Sequence, residues 1–349
     1  MDRFRLWSAR HDNQQVDLAF VVDCTGSMGS YIRETQRNIN FIAEKISKTS
    51  FSVHLALVEY RDHPPEDRSF VSRFHDFTHD VAQMKEWVNQ MSANGGGDFP
   101  EAVTSGLYDA ANLSYRDRAT KICIWIGDAP PHGLHPDGDH FPHGDPDGRD
   151  PVQICHEMAR KGIILYCVGC EPSLAPYRDF FMALSHITGG QYIRLRRARL
   201  LAQVIVNLAQ EEVENENLMG HVEDHIQLEL ASIPDATVAQ LTESLHTAMS
   251  LNNNRTRQVR LNGREIERVT QLARQMSYMT LLPQLAEAIR PQLHVHGRSD
   301  EDEPITTVDI TSLDVVPEWT CERFVRRSLA RSNLPARRGE DVEMEANNG

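Results

Sequence analysis

Cysteine is scarce and sits mostly inside apolar runs. The six among 349 residues, at positions 24, 123, 155, 167, 170 and 321, are too few and too scattered for a disulfide framework. They read as reduced core thiols in a reducing compartment, which points to a cytoplasmic chain. Cys167 and Cys170 make a C-x-x-C, but within Ile-Ile-Leu-Tyr-Cys-Val-Gly-Cys they read as a buried strand with its exit turn rather than a zinc knuckle. No apolar run reaches 18 residues, so no transmembrane segment is expected, and the first ten residues break into charge before a secretory signal could form. Basic residues are also short. Against 50 Asp and Glu stand 36 Lys and Arg, and a net charge of −14 repels phosphate backbones, which puts nucleic acid last among partners. A phosphate-cradling Gly-x-x-x-x-Gly-Lys loop is missing, and Gly26-Ser27-Met28-Gly29 lacks the leading glycine of a nucleophile elbow. His156-Glu157-Met158-Ala159-Arg160 has arginine where a zinc protease needs its second histidine. Triphosphatase, serine-hydrolase and zinc-protease readings lose support.

What is present alternates. Short apolar or β-branched runs at 17–23, 52–60, 69–77, 120–127, 163–169 and 191–195 are separated by helix-spaced segments at roughly 30–48, 80–91, 101–113, 151–162, 176–188 and 198–217. This βαβα order predicts an α/β fold: a doubly wound, mostly parallel sheet with helices on both faces. After Leu218 the strand-like runs stop. Val238, Leu241, Leu245 and Met249 make one helical stripe and Ile266, Val269, Leu272 and Met276 another, so a C-terminal helical hairpin is expected. The chain then divides into an extension at 1–14, a domain at 15–218, a helical segment at 219–290 and a largely disordered tail at 291–349. Within that tail a basic amphipathic piece, Trp319 to Arg331, is expected to pack back onto the protein, with peripheral membrane contact as the lesser alternative.

The chemistry concentrates where strands end. The apolar run 17–22 closes on Asp23-Cys24-Thr25-Gly26-Ser27, a carboxylate followed at alternate positions by two hydroxyls. A second loop, Gly95-Gly96-Gly97-Asp98-Phe99-Pro100-Glu101, carries two carboxylates on a backbone freed by three glycines. The run Ile122 to Ile126 ends in Gly127-Asp128. In an open α/β sheet such loops gather outside the carboxyl ends of the strands. Oxygen donors without an obligatory nitrogen or sulfur describe a hard-cation site, for Mg²⁺ with Mn²⁺ or Ca²⁺ as substitutes, rather than zinc.

Asp-x-Thr-x-Ser, Gly-Gly-Gly-Asp-x-Pro-Glu and Gly-Asp together resemble the metal-ion-dependent adhesion site of von Willebrand factor type A domains. The resemblance implies that Thr25 and Ser27 ligate the ion directly, that Asp23 and Asp128 hold it mainly through water, and that Glu101 takes the second-loop role. The Asp-x-Pro-Glu form is similar to that of integrin beta chains, where a second cation sits nearby. Here Gly96 stands where those chains carry an asparagine ligand, and Ser30 and Tyr31 stand where their acidic pair would be, so one cation is expected, with Asp98 in a supporting or secondary place. Over residues 15–218 the chain is similar to the type A domain attached to alpha-kinases in amoebae and fungi, through Phe-Val-Val-Asp-Cys-Thr-Gly-Ser-Met, Gly-Asp-Ala-Pro-Pro-His-Gly and the run from Tyr177 to Tyr192. The residues beyond are too few for an alpha-kinase domain.

A Gly/Pro/Asp-rich stretch after Asp128 carries His132, His135, His140 and His143, which reads as a lid over the ion whose histidines contact a partner. His221 and His225 read as a solvated helix face. The expectation is a binding module rather than an enzyme: an intracellular scaffold or targeting unit that recognises an acidic residue of a protein partner through a divalent cation. The alternative is a regulatory partner or kinase-less relative of an alpha-kinase.

Overall fold

The computed structural model describes residues 15–34, 36–37, 52–134, 137–293 and 305–334. Six strands make the main sheet: β1 (Gln15–Asp23), β2 (Ser52–Tyr60), β3 (Ser72–Thr78), β4 (Thr120–Gly127), β5 (Ile163–Cys170) and β6 (Tyr192–Leu195). Their order is β3-β2-β1-β4-β5-β6, with β3 antiparallel at one edge and every other pair parallel. Strands buried on both faces need no polar alternation, which is why β1, β4 and β5 read as continuous apolar runs.

Side chains alternate between two cores. Leu18, Phe20 and Val22 of β1 and Ile122, Ile124 and Ile126 of β4 face α1 (Val81–Gln90) and the first half of α5 (Leu201–Ser232). Ala19, Val21, Cys123 and Trp125 face α2 (Val103–Ala111), α3 (Pro151–Arg160) and α4 (Arg178–Ile187), where Trp125 stacks on Phe181 at 4.2 Å. Asp80 and Asp150 cap α1 and α3 by accepting from the first-turn amides. All six cysteines are buried and free, Cys167 and Cys170 included.

Beyond β6 the structure departs from the expected hairpin. The helix α5 runs unbroken through 218 and packs Met219, Val222 and Ile226 against α6 (Val238–Leu251), which does bury the stripe Val238, Leu241, Leu245 and Met249. The second stripe does not continue as one helix: β7 (Arg255–Thr256), β8 (Val259–Leu261) and β9 (Arg264–Glu265) intervene, followed by α7 (Gln271–Met276) and α8 (Leu282–Leu293). Asn262-Gly263, both at positive φ, forms the two-residue turn between β8 and β9, and this pair was the local hairpin signal to read.

Residues 305–334 are built into the fold rather than forming a loose tail. β10 (Val308–Ile310) pairs with β8, β11 (Asp314–Val315) pairs with β7, and α9 (Glu318–Arg331) buries Cys321, Phe324, Val325 and Leu329. The run from Trp319 to Arg331 packs back, through ion pairs that hydropathy cannot reveal. Arg323, Arg327 and Arg331 recur every fourth residue and meet Glu211, Glu212, Glu216 and Glu223 of α5. Arg327 Nη2 lies 2.8 Å from Glu212 Oε2, and Arg331 Nη1 lies 2.8 Å from Glu216 Oε1. On the opposite side, Glu322 Oε1 meets the buried His186 of α4 at 3.2 Å.

Two outcomes follow for this interface. Glu212→Gln leaves the buried guanidinium of Arg327 short of charge and is expected to lower stability by about 3 kcal/mol in urea denaturation. Acid is expected to loosen α9. Burial, with the Arg326 charge, holds His186 down at about 4, and burial is outweighed at Glu322 by its hydrogen bond and charge contacts with His186, Arg326 and Arg274, which hold it at about 2. Both groups take up protons more readily when unfolded, so their contribution is complete near neutrality. It is lost as pH falls below 6.5, first through His186 and then through Glu322. Trp319 fluorescence during an acid titration, with Glu322→Gln as control, measures it.

Candidate functional site

Parallel order places the ends of β1 and β4 side by side at the carboxyl edge, where Asp23 and Asp128 leave the sheet. Three loops are then stitched by backbone hydrogen bonds. Gly26 N–H donates to Gly95 O (3.1 Å), Asn94 N–H to Cys24 O (3.0 Å), and Glu101 N–H to Pro130 O (3.0 Å). Asp23 is fully buried, and its Oδ1 accepts from Thr25 N–H (2.8 Å) and Thr25 Oγ1 (2.6 Å). Thr25 Oγ1 lies 3.3 Å from Ser27 Oγ, which donates to Asp128 Oδ1 (2.9 Å). Gly96, at φ +83°, comes so near the cradle that a Cβ there would stand 2.6 Å from Glu101 Oε1 and 3.4 Å from Thr25 Cβ. Of the five residues expected as ligands, Asp23, Thr25, Ser27 and Asp128 are thus joined in one chain of hydrogen bonds, and Glu101 lies across Gly96 from Thr25.

Negative charge at this place is undercompensated. Asp23 Oδ2 and Glu101 Oε2 are shut from water without a hydrogen-bond partner. Burial, then the charge of Asp128, pushes the Asp23 carboxyl up to about 7. Burial, then the charges of Asp23, Asp62, Asp98 and Asp128, pushes Glu101 up to about 11, and burial also raises Asp128. Hard oxygen donors with orphaned carboxylate oxygens suit a divalent cation, which would supply the missing positive charge.

A neighbouring cluster escaped the sequence reading in part. Asp62, two residues past β2, is fully buried, and its Oδ1 lies 2.7 Å from His132 Nε2. Asp62, Asp98 and His132 bring one ligand-type atom each within 4.8 Å of one another. Asp62 was findable by the rule that already pointed to Asp23, since β2 ends at the same edge.

The expected lid histidines separate. His132 is 2% exposed and held between Asp62 and Asp139 (2.8 Å), an internal tie rather than a surface contact. Burial works against its charge, but the hydrogen bonds its ring donates to Asp139 and Asp62 raise it to about 9. His140 is exposed, its Nδ1 2.7 Å from Glu66 Oε1, and its backbone N–H donates to Asp98 Oδ2, so Asp98 supports the lid. His143 is exposed, and His135 lies outside the described residues. On α5, His225 bonds Ser244 and approaches Glu229, which supplies it with neighbours other than a metal.

Residues 17–134 match the family model of the von Willebrand factor A domain, and the chain carries such a domain. It is 34% identical over 137 residues to an alpha-protein kinase, vwkA, of Dictyostelium discoideum, covering 38% of this chain and 22% of the relative. It is 30% identical over 206 residues to a protein of Acanthamoeba polyphaga mimivirus described as ariadne-like RING finger, covering 56% of this chain and 20% of the relative. The chain therefore spans about a fifth of the length of these curated relatives. Among solved structures, a von Willebrand factor type A protein from Catenulispora acidiphila is similar at TM-score 0.43 and 16% identity, covering 58% of this chain and 43% of that one. Among the described residues no helix is long and apolar enough to cross a membrane.

The raised carboxyl of Asp23 sets a pH dependence with a definite sign. Between its unfolded value of 3.8 and about 7 the folded chain retains a proton that the unfolded chain releases, so raising the pH through that window destabilises the fold in EDTA. Mg²⁺ is expected to raise the melting temperature by more at pH 8 than at pH 5, and Asp23→Asn to remove most of that difference. Equal Mg²⁺ effects at both pH values would count against the assignment.

Proposed function

We propose that the chain is a divalent-cation-dependent protein-binding module, acting inside the cell as a scaffold or targeting unit. In this reading Asp23, Thr25, Ser27, Glu101 and Asp128 hold Mg²⁺, with Mn²⁺ or Ca²⁺ as substitutes, and a carboxylate of a protein partner completes the shell. The observation that carries it is the pair of partnerless buried oxygens, Asp23 Oδ2 and Glu101 Oε2, beside the linked hydroxyls of Thr25 and Ser27. Neutral hydroxyl donors, with Asp23 and Asp128 held off through water, leave an ion with positive charge to spare, and an open coordination position at an exposed sheet edge directs that charge at an incoming acid. The six buried free thiols accord with a reducing compartment.

The similarity to an alpha-protein kinase favours a second reading, a regulatory partner in kinase signalling. Purified chain with labelled ATP separates it from catalysis: no phosphotransfer is expected, and label incorporation that depends on residues after 218 would overturn the binding-module reading.

The decisive experiment is affinity capture from cell extract with wild type in Mg²⁺, wild type in EDTA, and Asp23→Ala in Mg²⁺. Proteins retained only in the first sample are the expected result, at a loss of about tenfold or more in the other two. Identical sets in all three would reduce the cation to a tie between loops. Circular dichroism of Asp23→Ala checks that the domain still folds.

A further inference from the structure

The carboxyl edge of the sheet is not uniform in charge. On the β2 side of Asp23 each acid already stands beside a cation or histidine, Asp62 by His132, Asp67 by Arg61, and Glu66 and Asp98 by His140. At the other end the chain leaves β6 through Arg196, Arg197 and Arg199. Because β6 is parallel to β5, β5 to β4 and β4 to β1, this exit opens on the same edge as Asp23 and Asp128. Strands about 4.8 Å apart put it roughly 10 Å from the β4 exit and roughly 14 Å from that of β1. A hydrogen bond links the two places: Tyr31, in the helical segment after Ser27, donates its hydroxyl to Leu195 O (2.9 Å).

These arginines differ from most of the others in the fold. Arg73, Arg116, Arg178, Arg323, Arg327 and Arg331 are each spent on a carboxylate. Among the described residues no ion pair engages Arg196, Arg197 or Arg199, and Arg196 Nε is shut from water without an acceptor. The first turn of α5, which follows directly, holds no acid. Glu171, the acid at the neighbouring β5 exit, is occupied by Arg178 (2.8 Å) and the Tyr192 hydroxyl (3.1 Å). Arg196 and Arg197 are half-buried and Arg199 is exposed. Three cations are thus left unopposed in a chain of net charge −14.

We propose that this arginine exit is the second half of the partner surface, and that the partner presents a run of acidic residues. One carboxylate takes the ion at Thr25 and Ser27, and carboxylates about three to five residues away along an extended segment pair with Arg196, Arg197 and Arg199. The spacing follows from an extended chain advancing about 3.3 Å per residue over the roughly 10–14 Å between the two places. The direction follows from which charges are free: on the β2 side Asp62 and Asp67 are already met by His132 and Arg61, whereas the β6 side offers arginines that no carboxylate engages among the described residues. Ion and arginines ask for the same ligand group, a carboxylate, which selects an acidic peptide over a lipid surface. The inference rests on the cation-dependent reading proposed above and adds the partner's chemistry to it.

Fluorescence anisotropy with two labelled peptides and the full chain tests it. One peptide carries a single central glutamate; in the other that glutamate is followed, three to five residues on, by further glutamates. In Mg²⁺ the second is expected to bind about tenfold more tightly, as several partly exposed ion pairs would provide. The ratio is expected to fall toward one in the combined variant Arg196→Gln, Arg197→Gln, Arg199→Gln and at high salt. Arg199→Glu, at an exposed position, replaces the combined variant if that one melts at lower temperature. A wild-type ratio near one, a ratio unmoved by the arginine variants, or no binding of either peptide overturns the proposal. If the ratio survives in EDTA, the arginine surface stands and the cation-dependent reading fails; if single-glutamate binding requires Mg²⁺ but the ratio is one, the reverse holds. Arginine-dependent binding to phosphatidylserine vesicles that exceeds binding to the acidic peptide would overturn it in favour of a membrane surface.

Discussion

Buried carboxylates divide this molecule into two regimes, according to whether positive charge accompanies them. Along α5, Glu211, Glu212 and Glu216 enter the interior already matched by the arginines of α9, and the result is a locked interface. At the carboxyl edge of the sheet, Asp23 and Asp128 are bonded to hydroxyls, and their charges, with that of Glu101, act on one another without a cation between them. The same physical cost, desolvation of a charge, is met by a helix in one place and left unmet in the other.

That contrast depends on the parallel sheet. Parallel strands send all their exits to one edge, so a carboxylate at the end of β1 and another at the end of β4 become neighbours although 105 positions separate their numbers in the chain. The loops can close over each other only where backbone replaces side chain, and Gly96 is the position where a Cβ would strike the glutamate opposite. The lid after β4 is anchored by His132 on Asp62 and by the backbone of His140 on Asp98.

Much of this was legible in the chain. Continuous apolar runs marked β1, β4 and β5, because strands covered on both faces have no polar side to show. The five candidate ligands could be picked because each lies immediately after such a run or on a glycine-freed loop. Asp62 was missed for want of a motif around it, although it obeys the same edge rule as Asp23. The short strands β7 to β11 were missed because runs of two or three residues carry no periodicity, and only Asn262-Gly263 announced one of their turns. The helix α9 was expected to pack back, but the surface it packs on could not be read, because its arginines name no partners until their glutamates are brought alongside.

The sequence by itself determined the sheet, its helical cover and the residue types gathered at strand ends, since these follow from local periodicity and from where apolar runs stop. Tertiary structure alone decided which charges meet. It matched the α9 arginines to α5, sank His132 between two aspartates, and, among the described residues, left Arg196, Arg197 and Arg199 without an ion pair and the Oδ2 of Asp23 and Oε2 of Glu101 without a hydrogen-bond partner. Pairing of charges across a hundred residues depends on distance and desolvation in the folded chain, and neither quantity is written in the order of the residues.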